Sequence, residues 1–120
     1  MTPYTYHATV VRVIDGDSIV LDIDLGFDIR IQKNCRLDGV DTPELRSSDT
    51  TERKLAQKAK EFVQTLLPVG KELVIKSVEV GKFGRPLILT SIEVPSQGMF
   101  PLSQIIIESG LGKEYHGGKR

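Results

Sequence analysis

Four short segments of this 120-residue chain carry acids and arginines at spacings that invite chemistry: Asp15-Gly16-Asp17, Arg36, Asp41-Thr42-Pro43-Glu44 and Gly84-Arg85. Each has an ordinary reading alone. Asp-Gly-Asp marks a hairpin turn, Arg36 sits on the polar side of a strand, Pro43 fixes φ at the entry to a helix, and Gly84-Arg85 is an exposed hairpin tip. Together they ask for a common explanation. Asp17 shares strand parity with Ile19, Leu21 and Ile23, so its carboxylate points inward and needs a partner. Asp41 follows the third apolar run, which in a meander returns beside the first hairpin. Two carboxylates, a main-chain carbonyl and water make an oxygen site for Ca²⁺ or Mg²⁺. Beside it, the forks of Arg36 and Arg85 would suit a phosphodiester. Glu44, three residues after Asp41, comes within reach of a water at that site.

The elements that must position these groups are legible in the hydrophobic pattern. Tyr6–Ile14 is rich in β-branched residues, and Asp15-Gly16 turns it into the alternating run Ile19, Leu21, Ile23 and Leu25. A turn at Gly26 leads into a third strand, in which Ile29, Ile31, Cys35 and Leu37 share one face. Leu55, Ala59, Phe62, Val63 and Leu66 then fall at helical spacing, opened by an Asp49–Glu52 capping box and closed by Pro68 and Gly70. Leu73–Val80 and Leu87–Val94 read as strands, Leu102–Ser109 as a short helix, and Tyr115–Arg120 as a frayed tail. The order βββαββα matches a mainly β, five-stranded OB-fold barrel with helices, an α+β chain forming one domain over residues 1–120.

Composition narrows the partners. Sixteen Lys+Arg cancel sixteen Asp+Glu, which excludes a highly basic nucleic-acid coat and an acidic tail protein. Cys35 is the one cysteine, so there is no internal disulfide, and with only His7 and His116 for company it makes no structural zinc site. No apolar run approaches the roughly 20 residues of a membrane span, and the first residues carry no signal-peptide pattern. A complete chain is therefore expected in the cytoplasm, although a mature secreted chain with an added Met1 would read the same.

Val13-Ile14-Asp15-Gly16-Asp17-Ser18, Cys35-Arg36-Leu37, Val40-Asp41-Thr42-Pro43-Glu44, Lys82-Phe83-Gly84-Arg85 and Gly110-Leu111 occur in an order and spacing that resemble the staphylococcal nuclease family over roughly residues 6 to 116. The resemblance implies an OB-fold, Ca²⁺-dependent nuclease acting on DNA and RNA and leaving 3′-phosphate and 5′-hydroxyl ends, with Mg²⁺ or Mn²⁺ as other hard ions for the site. It assigns Asp17 and Asp41 as metal carboxylates and Thr42 as a carbonyl ligand. Glu44 becomes the general base, Arg36 and Arg85 hold the phosphate, and Asp15 is an outer-shell acid. Lys82, Phe83, Tyr115 and His116 are candidates for substrate binding, with Phe83 lacking the hydroxyl of a family Tyr and Tyr115 or His116 offering a stacking surface.

Ser18 stands where Thr is common, and Arg46–Arg53 replaces a longer, more basic loop as a mobile rim of the cleft. The family's secreted nuclease continues into a third helix, so this chain is expected as a monomer or, through an uncovered apolar patch, a homodimer. The expected substrate is single-stranded nucleic acid. The competing reading is a catalytically silent OB module that binds nucleic acid or protein.

Overall fold

A computed structural model describes residues 4–80 and 84–115 of the chain. The elements run β1 (Thr5–Asp15), β2 (Ser18–Gly26), β3 (Ile29–Leu37), β4 (Gly39–Asp41), α1 (Thr50–Leu66), β5 (Glu72–Val80), β6 (Pro86–Val94), β7 (Gly98–Pro101), α2 (Leu102–Glu108) and β8 (Lys113–Tyr115). The five long strands make the barrel. Antiparallel pairing gives the order β3-β2-β1-β5-β6, and a short parallel pairing of β3 with β6 closes it. This is the expected OB-type barrel of a mixed α+β chain. Closure satisfies sheet edges that would otherwise stay open.

Register at the closure decides what meets what. Ser18 on β2 stands opposite Arg36 on β3, and Arg36 stands opposite Leu87 on β6. The β1–β2 turn, the end of β3 and the start of β6 therefore share one end of the barrel. Two further bonds tighten that end: Leu37 N donates to Asp17 O at 2.9 Å and Asp38 N to Ile88 O at 2.9 Å.

The core fills the barrel with Val10, Ile19, Leu21, Cys35, Leu37, Ile75 and Ile88, and α2 adds Leu102 and Ile106. On α1, which packs on β1, Ala56, Ala59 and Val63 face inward. Leu55 is exposed instead of packed, because Ala56 takes the inward position at the start of that helix. Ile29 and Ile31 are likewise exposed, although they share parity with buried Cys35 and Leu37. Parity gives only the face. The β2–β3 hairpin runs on past the core, with its tip at Phe27 and Asp28, both at positive φ, one step beyond the turn expected at Gly26.

Three short strands escaped the periodic reading. β7 extends the sheet beyond β6, while β4 and β8 pair with each other outside it, Gly39 opposite Tyr115 and Asp41 opposite Lys113. Tyr115 is thus part of a strand, not of a frayed tail, and His116–Arg120 lie outside the described residues. Gly112 permits this docking, since a Cβ there would lie 2.8 Å from Val40 Cγ2 and 2.9 Å from Ile106 Cγ2.

Burial pushes the Cys35 thiol up to about 11, with Lys33 pulling weakly the other way. Thiolate is the reactive form, so Cys35 should resist alkylation by iodoacetamide at pH 8 in the folded protein and react fully in denaturant. Rapid native labelling, followed by mass spectrometry, would contradict this packing.

Candidate active site

Asp17 sits in the turn between β1 and β2, only 8% exposed, but strand parity is not the cause, since Ser18 and Val20 of the opposite parity are buried too. Its cost of burial is offset by donors. Thr42 N donates to Asp17 Oδ2 at 3.1 Å, and Arg36 Nη2 lies 3.4 Å from the same oxygen. The same Arg36 nitrogen bonds Asp41 Oδ1 at 3.1 Å. Arg36 Nη1 meanwhile donates to Leu37 O at 3.0 Å and Val40 O at 3.3 Å. Four of the bonds a guanidinium can make are thus spent within the protein. Tyr115 lies beneath it, with the Arg36 Cζ 4.9 Å from the ring centroid, a cation–π contact made by the β4–β8 pairing.

Arg85, at the base of β6, reaches across the closure and donates from Nη1 to Ser18 Oγ at 2.7 Å; Ser18 Oγ lies 3.3 Å from Asp17 Oδ1. The second arginine is therefore tied to the first acid through a serine. Gly16 makes this crowding feasible. A Cβ at position 16 would lie 2.9 Å from Thr42 Cγ2 and 3.0 Å from Ala59 Cβ, so only glycine lets the turn nest between the Thr42 segment and α1. The Asp-Gly signal located the hairpin, but Gly16 is needed here for close approach; its φ is not positive.

Electrostatics mark the same place. The Asp15 carboxyl is raised above its ordinary value, first by burial, then by Asp17, with Glu44 adding to the rise; Lys60 and Arg85 pull against it. The donors fit a hard divalent ion. Asp17 and Asp41 offer carboxylates already converging on one nitrogen, and Thr42 brings a main-chain carbonyl and a buried hydroxyl without a hydrogen-bond partner among the described residues. Among those residues no cluster of three His, Cys, Asp or Glu stands ready to hold a metal, so two carboxylates, a carbonyl and water must share the task.

Glu44 is exposed on the loop between β4 and α1 and lines a groove of about 310 Å³ with Asp41, Thr42, Glu52 and Lys113. The rim expected over Arg46–Arg53 is shorter, because α1 begins at Thr50 and Asp49 caps it by accepting from Thr51 N at 2.9 Å. Lys82 and Phe83 lie outside the described residues, as does His116. Sequence reasoning missed Ser18 as the partner of Arg85. It read Glu52 as a capping residue, yet this carboxylate accepts from Glu44 N at 3.2 Å and Ser47 Oγ at 2.8 Å. A Glu three residues into a helix is the same signal for either task.

Comparison with known proteins shows the family to which the chain belongs. The family model for staphylococcal nuclease homologues matches residues 34–119. A thermonuclease of Staphylococcus hyicus is 37% identical over 79 residues, which is 65% of this chain and 44% of the relative, so the chain spans less than half the length of the protein it matches. Asp15-Gly16-Asp17 lies upstream of the family match, and only the barrel brings it to Arg36 and Asp41.

Breaking the junction should cost stability. Arg36→Met removes the cation that faces both Asp17 and Asp41, and urea unfolding at pH 7 should show a loss of about 3 kcal/mol. A loss under about 1 kcal/mol would mean that the arginine is not what reconciles the two acids.

Proposed function

Because the chain belongs to the staphylococcal nuclease family, we propose that it is a divalent-cation-dependent nuclease that hydrolyses phosphodiester bonds of DNA and RNA, single strands preferred. The observation that carries this reading is the meeting of Asp17, Asp41 and Arg36, with Arg85 one serine away. Asp17, Asp41 and the Thr42 carbonyl would hold the cation, Ca²⁺ in this reading, with Mg²⁺ and Mn²⁺ as alternatives. When bound, the ion supplies positive charge that offsets the charge developing on the phosphate.

The chain's own groups do the rest. Glu44 takes a proton from water as the water oxygen bonds to phosphorus. The bond from phosphorus to the 5′ oxygen breaks, leaving a 3′-phosphate, and the departing oxygen becomes a 5′-hydroxyl after taking a proton from solvent. Arg36 and Arg85 donate hydrogen bonds to the phosphate oxygens, and Arg85 also to the departing oxygen. Asp15 stays behind the cation ligands as a supporting charge. Tyr115, already against Arg36, holds the guanidinium plane where it meets the phosphate. Lys82, Phe83 and His116 are left as contacts to more distant parts of the strand.

Arg36 also gives the reading a built-in requirement for metal. Its Nη2 is committed to Asp17 and Asp41, so that nitrogen is open to phosphate only when another cation serves those carboxylates, while Nη1 stays on the Leu37 and Val40 carbonyls. Neutral overall charge gives little long-range attraction to compensate.

The chain should cleave denatured DNA in Ca²⁺, Mg²⁺ or Mn²⁺ and lose that activity in EDTA. Glu44→Gln should lower kcat by about 10²–10⁴ with little change in KM. Metal binding with no cleavage of DNA or RNA would overturn the enzyme reading in favour of a silent binding module. Unchanged turnover in Glu44→Gln would remove Glu44 from the chemistry.

A further inference from the structure

Glu44 stands at the end of a segment pinned by two carboxylates. Thr42 N donates to Asp17 Oδ2 at 3.1 Å, Pro43 has no N–H to offer, and Glu44 N donates to Glu52 Oε2 at 3.2 Å. On its other side, Glu44 O accepts from Ser47 N at 3.2 Å. Both main-chain polar groups of Glu44 are therefore engaged while its side chain is left in the open.

Glu52 spends both carboxylate oxygens on this loop. Oε1 accepts from Ser47 Oγ at 2.8 Å, and Ser47 Oγ in turn accepts from Asp49 N at 3.1 Å. In a capping box, a Glu at this helical position reaches back to the amide of the cap residue. Here Ser47 serves the Asp49 amide, and Asp49 caps the helix through Thr51 N. Glu52 is thereby released to hold Glu44. It sits in the first turn of α1, where the positive helix end favours an anion, on an element anchored to the barrel by Ala56, Ala59 and Val63. Glu44 and Glu52 line the same groove.

We infer that Glu52 is a positioning residue: by tethering the Glu44 amide to the rigid start of α1, it sets where the Glu44 carboxylate stands relative to Asp17, Asp41 and Arg36. The inference rests on the nuclease reading for its catalytic consequence and on the hydrogen bonds alone for its structural one. A misplacement near 1 Å costs about 100-fold in rate, so losing the tether should be seen mainly in kcat. The requirement is geometric. A Gln at position 52 can still accept from Glu44 N through Oε1 and donate to Ser47 Oγ through Nε2, whereas Ala can do neither.

The test uses Glu52→Ala and Glu52→Gln, each in the wild-type and Glu44→Gln backgrounds. Turnover of denatured DNA and hydrogen exchange of the Glu44 amide by NMR are both measured. Glu52→Ala should lower kcat about 10- to 100-fold with KM within about twofold, and Glu52→Gln should restore most of the loss. In the Glu44→Gln background, Glu52→Ala should lower kcat no further, since the base it positions is gone. An equal loss in both backgrounds, or wild-type kcat in Glu52→Ala, would overturn the inference.

Should the unmodified chain cleave nothing with any of the metals, the nuclease reading fails separately. The amide still decides the tether: faster Glu44 exchange in Glu52→Ala supports it, and unchanged exchange overturns it. If Glu52→Ala does not fold, Ser47→Ala removes one arm of the tether and should give a smaller kcat loss that also vanishes in the Glu44→Gln background; a loss that persists there counts against the inference.

Discussion

One guanidinium nitrogen, Arg36 Nη2, faces carboxylates from two different elements, Asp17 in the β1–β2 turn and Asp41 at the end of β4. Neither acid is fully solvated, and Arg36 reaches both within 3.4 Å. The surroundings are arranged to keep that contact. Barrel closure puts Arg36 beside β6, Gly16 lets the turn approach Thr42 and α1, and the β4–β8 pair brings Tyr115 under the guanidinium. A buried pair of this kind is a poor source of net stability but a strict constraint on geometry, because removing one member leaves the others exposed to each other's charge.

In the proposed reading, the same constraint lets a chain with no net charge act on a polyanion. Charge is sorted locally instead of being spread over a basic surface. Arg36 lies between Asp17 and Asp41, and Arg85 is joined to Asp17 through Ser18. The Asp15 carboxyl is raised first by burial and then by Asp17, with Lys60 and Arg85 pulling against the rise. In the proposed reading, affinity would depend on the cation that the acids hold, not on the formal charge of the chain.

Much of this was legible in the sequence where a pattern repeats. Alternation along Ile19–Leu25 and helical spacing through Ala59–Val63 located the barrel strands and α1. What escaped was what depends on neighbours. Ile29 and Ile31 have core parity but lie on a hairpin that outruns the core. β4, β7 and β8 are too short to show a period, and β8 exists because Gly112 fits against Val40 and Ile106. In the site, residue types announced the acids and arginines, but which acid meets which arginine follows from the Ser18–Arg36–Leu87 register. Glu52 had the right local pattern for a cap, and only the path of the Glu44 loop shows its other use.

In the proposed function Arg36 exchanges partners: the carboxylates occupy its Nη2, and a bound cation would release it. The most direct measurement is the affinity of the Glu44→Gln protein for a fluorescent single-stranded oligonucleotide, by anisotropy, in Ca²⁺ and in EDTA. Freeing charge-assisted hydrogen bonds worth about 1.5–3 kcal/mol should tighten binding in Ca²⁺ by about tenfold or more. Equal affinity in the two conditions would contradict the account.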